Sequence, residues 1–96
     1  ITVAKNARYR LRKKNAIGSH TKSDILELYT KQQGLCFYCS CDVSDVYHTD
    51  HYIPLSKGGS DNIENIRVTC ETCNCRKGAK LPHVFIKELE LNHQQK

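Results

Sequence analysis

The sequence predicts a small α+β domain: a strand, a loop, a strand and a helix, framed by further helices and stapled through its cysteines. Three observations carry that class. Two C-x-x-C pairs, Cys36 with Cys39 and Cys70 with Cys73, bracket the middle of the chain. Between them lie two short runs of strand character, residues 46–53 and 65–69. Outside them the apolar residues recur at helical spacing.

Taken in order, residues 3–14 can form a helix. Ala4, Ala7 and Leu11 fall on one face, and Arg8 and Arg12 share another. The stretch 15–20, with Gly18, reads as a break. Thr21 is a good N-cap, and Asp24 three residues on approximates a capping box. The helix that follows runs to about residue 33, with Ile25, Leu28, Tyr29 and Gln32 on one stripe and Gly34 at its end. Residues 35–40 form the first cysteine turn, followed by a polar loop. The β-branched and aromatic run 46–53 reads as a strand ended by Pro54, and 55–62 as a loop flexible at Gly58 and Gly59. Residues 65–69 alternate apolar and polar as a second strand. Residues 70–77 carry the second cysteine pair into a helix that Gly78 stops. Pro82 suits the first turn of a last helix reaching residue 91 or 92, with Phe85 and Leu89 one turn apart.

Ninety-six residues hold one domain with a modest core. With two Phe, no Trp and no Met, such a chain needs a staple. Six cysteines can supply it, as disulfides or as metal ligands. Disulfides would spread them along the chain, whereas here they fall in two tight clusters, each with a C-x-x-C, as the halves of a tetrahedral zinc site do. Cys36, Cys39, Cys70 and Cys73 are therefore expected to bind structural Zn²⁺. Cys41 and Cys75 are left over as thiols near the metal. Reduced thiols point to the cytoplasm, and the charged start predicts no secretory leader. Ile at position 1 in place of Met fits a piece of a longer protein.

The net charge of +5 is unevenly placed. Residues 1–22 hold seven basic residues and no acidic one, leaving eight basic and ten acidic beyond them. The excess belongs to an arm, and Arg8, Arg10, Arg12, Lys13 and Lys14 are expected to meet a phosphate backbone. Residues 1–22 thus read as a partly helical basic arm and 23–96 as the domain proper. No run is apolar and long enough to span a membrane.

The stretch with the densest chemistry runs from Asp50-His51 through Pro54 to Gly58-Gly59. Hydrolysing a phosphodiester needs an activated water and positive charge on the phosphate oxygens. A neutral imidazole near pH 7 can serve the first need, and a divalent cation the second. Asp50 offers a carboxylate, His51 a base, and Asn74 an amide oxygen, enough for Mg²⁺ with its retained waters.

These residues resemble the HNH endonuclease family. The resemblance rests on the run Asp50-His51-Tyr52-Ile53-Pro54-Leu55-Ser56-Lys57-Gly58-Gly59, then Asn65-Ile66, then Cys70-x-x-Cys73-Asn74-x-x-Lys77-Gly78. It is close over residues 36–78 and looser over the helix before them, in the manner of small phage-type members. It implies a ββα-metal (His-Me finger) core at 36–78, braced by the four-cysteine zinc, to which the spacing adds the C-terminal helix over 82–92. It also implies a DNA endonuclease yielding 5′ phosphate and 3′ hydroxyl ends.

In that reading Asp50 and Asn74 hold the catalytic metal, His51 is the general base, and Asn65 braces the loop and helps to orient His51. Asn at the last position, where the family has His or Asn, favours Mg²⁺ or Mn²⁺ over a tightly held transition metal. Lys57, Arg67, Arg76 and Lys77 lie close by in sequence as phosphate contacts, His48 reads as a surface histidine, and His20, His83 and His93 are unassigned. The expected partner is double-stranded DNA, and the setting the cytoplasm of a bacterial or phage-infected cell, in a larger chain or phage assembly. The rival reading is a zinc-braced nucleic-acid-binding module without catalysis.

Overall fold

The computed structural model of the protein describes residues 16–94. The expected helix at 3–14 and the basic residues Arg8, Arg10, Arg12, Lys13 and Lys14 lie outside the described residues. The order is α1 (Lys22–Lys31), β1 (His48–His51), β2 (Ile66–Thr69), α2 (Glu71–Lys77) and α3 (Pro82–Gln94), with two 3₁₀ turns, Leu55–Lys57 and Ile63–Asn65, between the strands. This is an α+β fold in which an antiparallel strand pair is followed directly by a short helix.

Helix α1 starts as its sequence demands. The Thr21 side chain accepts from the Asp24 N–H while the Asp24 carboxylate accepts from the Thr21 N–H, a complete capping box. Its end is tighter than expected: Gln33 and Gly34 both turn into positive φ, so the helix stops at Lys31. Leu28 and Tyr29 pack on the core, and Gln32 does something more specific. Its side-chain amide donates to the Leu35 and Val68 carbonyls and accepts from the Val68 N–H, so it pairs with β2 as a strand neighbour would. Replacing Gln32 by Ala leaves these strand groups without that partner. The expected cost is about 2 kcal/mol, read as a lower denaturation midpoint of the metal-loaded protein.

The strands pair in one register, with His48 opposite Thr69, Asp50 opposite Arg67 and His51 opposite Ile66. Strand β1 is shorter than the run 46–53 suggests. At Ile53 both backbone groups bond to the Asn65 side chain instead of a neighbouring strand, which ends the ladder. Asn65 itself closes a 3₁₀ turn rather than opening β2.

The core joins Cys36, Val43, Val68, Cys73 and Phe85, with Tyr38, Tyr47 and Leu89 packed against it. Phe85 anchors α3, its ring edge-on to Tyr38 at 5.0 Å. Two of these five core positions are cysteines, so thiols form part of the apolar core itself.

Candidate active site and metal centre

The first cysteine pair sits on a knuckle. An isolated bridge between Leu35 and Asp42 closes it, the Cys36 N–H donates to the Cys41 carbonyl, and Ser40 takes a positive φ to make the turn. The second pair sits at the start of α2, where the Cys70 sulfur is the N-cap and accepts from the Cys73 N–H. The four sulfurs of Cys36, Cys39, Cys70 and Cys73 lie within 4.8 Å of one another and can hold a metal ion. A tetrahedron of Zn–S bonds near 2.3 Å has edges of about 3.8 Å. The Cys39–Cys70 separation is 3.8 Å. Burial pushes the Cys36 and Cys73 thiols up. Burial works the same way on Cys70, but hydrogen bonds from the Cys73 backbone and the neighbouring thiols prevail and hold it at about 7. Such a set releases protons when it takes a cation.

On β1, Asp50 is 7% exposed and faces the helix side of the hairpin. Its carboxylate lies 3.1 Å from Lys77 Nζ and accepts from the Tyr38 hydroxyl at 3.3 Å. Burial raises the Asp50 carboxyl above the usual range, against the Lys77 hydrogen bond and charge that lower it. Burial and the Asp50 charge both push the Tyr38 phenol up, so Tyr38 keeps its proton.

Lys77 requires a correction. It is expected on the surface as a phosphate contact, yet it is fully buried. Its ammonium pairs with Asp50 and donates to the His51 carbonyl at 3.0 Å. It stands four residues after the buried Cys73 on α2, and that spacing turns both residues inward. Asn74, one turn before Lys77, lies on the same helix, which packs against β1.

His51 has its Nε2 2.8 Å from Asp61 Oδ1. Asp61 is a buried acid that sequence reasoning passes over. It lies in the loop between the strands, beside a glycine pair that reads as flexible. No local pattern signals that an acid ten residues away returns to the histidine. His20, left without a role above, donates from Nδ1 to the Asp61 carbonyl at 2.7 Å.

Asn65 braces that loop. Its Oδ1 accepts from the Ile53 N–H at 2.8 Å, and its Nδ2 donates to the carbonyls of Ile53 and Ser60. Gly59 passes so close that an added Cβ would fall 1.8 Å from the Ile53 oxygen, so only glycine fits there. Three backbone groups lose their partner in an Asn65→Ala variant. The expected cost is about 2–3 kcal/mol, measured by denaturant unfolding.

The remaining basic residues separate. Lys57 and Arg76 are exposed. Arg67 is half-buried: its guanidinium lies over the rings of Phe37 and Tyr52, at 5.0 and 4.4 Å from their centroids, and donates to the Glu64 and Ile66 carbonyls. His48 is half-buried at the start of β1. Among the described residues no helix is long and apolar enough to cross a membrane.

No curated protein matches the chain. The pattern of the HNH endonuclease family matches residues 36–90, more than half of the sequence, from the first zinc-type cysteine into the closing helix. That span contains the strand pair, the helix after it and all four clustered cysteines, and the chain belongs to the HNH endonuclease family.

Proposed function

We propose that the chain is a divalent-metal-dependent endonuclease that hydrolyses phosphodiester bonds of double-stranded DNA, with His51 as general base. One observation carries the reading. Asp50 and His51 stand side by side on β1, Asp50 against the helix that bears Asn74, while Asn65 ties down the loop that follows. An acid beside a histidine is weak evidence in itself. Within a ββα unit of a nuclease family, the same pair supports a catalytic reading.

In this reading Cys36, Cys39, Cys70 and Cys73 hold a structural Zn²⁺. Asp50 and Asn74 supply a carboxylate and an amide oxygen, a donor pair that suits Mg²⁺ or Mn²⁺. That cation, when bound, neutralises charge on the phosphate and on the leaving 3′ oxygen. His51 takes a proton from the attacking water, and Asn65 holds the loop that carries the partner of His51. Lys57 and Arg76, with Arg67 and the arm residues Arg8, Arg10, Arg12, Lys13 and Lys14, attract the phosphate backbone. Lys77 instead neutralises Asp50 from inside. The setting proposed is the cytoplasm.

Supercoiled plasmid incubated with Mg²⁺ or Mn²⁺ tests this reading, with nicked and linear forms followed over time beside a His51→Ala control. Equal nicking by the two proteins, or none by either, sinks it. The pairing of Lys77 with Asp50 favours a second reading, a zinc-braced DNA-binding module without catalysis. That module would bind DNA in a salt-sensitive way, survive the loss of His51 and cut nothing.

A further inference from the structure

We infer that Asp61 is a positioning residue for His51, fixing its tautomer and ring orientation; this rests on the proposed role of His51 as the base. The two side chains are 10% and 12% exposed and meet at 2.8 Å. A carboxylate only accepts hydrogen bonds, so the ring nitrogen facing it, Nε2, carries the proton. The neutral ring then has its lone pair at Nδ1, and that nitrogen receives the proton of the water. In the balanced step, the water O–H bond breaks and the proton bonds to Nδ1. The water oxygen bonds to phosphorus, the bond from phosphorus to the 3′ oxygen breaks, and the 3′ oxygen takes a proton from solvent water, whose hydroxide then takes the Nδ1 proton and restores the neutral ring. The imidazolium so formed faces the Asp61 carboxylate through Nε2–H, which stabilises it where it arises.

An acid doing this has to be held, and Asp61 is held from several sides. Its N–H donates to the Ile17 carbonyl at 2.8 Å, and its own carbonyl accepts from His20 Nδ1. The residue before it, Ser60, has its carbonyl bonded by Asn65 Nδ2 at 2.8 Å. Asn62, the residue after it, accepts from the Ser19 N–H at 3.3 Å. The segment 17–20, just before α1, is thereby strapped to the loop that carries the partner of the base. Lys77 holds the other end of His51 by its carbonyl. Ring and backbone are held by separate groups, so loss of Asp61 removes its hold on Nε2 while Lys77 keeps the carbonyl.

Two measurements test this. Ring ¹⁵N shifts of wild-type protein, loaded with zinc alone, are expected to give His51 as the Nε2–H tautomer, and Asp61→Asn is expected to lose that preference. In plasmid nicking, Asp61→Ala and the isosteric Asp61→Asn are each expected to lower kcat at least about 10-fold. KM is expected to stay within about 3-fold, in protein whose melting shows a folded domain. An Nδ1–H tautomer in wild type, or wild-type kcat in either variant, overturns the assignment. Should wild type hold the Nε2–H tautomer, lost in Asp61→Asn, yet fail to nick DNA, the nuclease reading falls while the hold of Asp61 on His51 stands.

Discussion

Removing the metal from the four-cysteine centre is expected to unfold the domain. Among the described residues the large apolar side chains that are fully buried are Phe85, Ile66 and Val68, and two of the five core positions are cysteines of the four-sulfur cluster. Structural zinc in small domains contributes on the order of 10–16 kcal/mol of apparent binding free energy. That is comparable to or larger than the whole stability of a typical domain, roughly 5–15 kcal/mol. Without the cation, Cys36 and Cys73 are left as thiols inside the core. The direction with pH follows from the same thiols. Cys36 and Cys73 lie above their ordinary value, so binding must release their protons. Acid competes, and the metal's contribution shrinks as pH falls, first as Cys70 protonates near 7. Circular dichroism during titration with a zinc-selective chelator measures this, with re-addition of Zn²⁺ to show reversal. Metal-free protein that keeps its helical signal and a cooperative melt would rule the zinc reading out.

Loss of the His51 imidazole is expected to lower the rate of DNA nicking by about 10²–10⁴-fold, the usual contribution of a positioned general base. His51 tests catalysis more cleanly than Asp50 does. Asp50→Ala would leave the Lys77 ammonium buried without its counter-charge, a change that costs about 3–5 kcal/mol and confounds activity with folding. His51→Ala leaves the backbone carbonyl that Lys77 grips, but takes from buried Asp61 its partner at 2.8 Å. Thermal melting of the zinc-loaded variant beside wild type separates the two effects. A variant that melts like wild type and has lost its nicking activity places the imidazole in the reaction. One that nicks at the wild-type rate removes His51 from the mechanism.

Local signals in this chain were legible because the groups that make them are neighbours in sequence. Thr21 and Asp24 cap a helix three residues apart. Each C-x-x-C spans a single turn. The order of strand, strand and helix and the clustering of four thiols follow from such spacings. So does the loop-bracing Asn65, by way of the family pattern. What misled was also local: Arg76-Lys77 looks like a solvated basic pair, although the four-residue step from Cys73 marks Lys77 as inward. Val46 has a strand former's side chain but is 68% exposed outside the ladder, where burial and pairing decide and propensity does not.

By itself, then, the sequence determined the class of fold, the four cysteines that cluster and the pairing of an acid with a histidine on one strand. Only the tertiary structure decided which charges meet. Lys77 reaches Asp50 and the His51 carbonyl, Asp61 turns back to the His51 ring, and Gln32 bonds Val68 across 36 residues. Each is a contact between residues distant along the chain. A lysine, an aspartate or a glutamine reads the same in solvent as in a core until packing removes the water. Then an unpaired charge or amide becomes costly enough that its partner is effectively chosen for it.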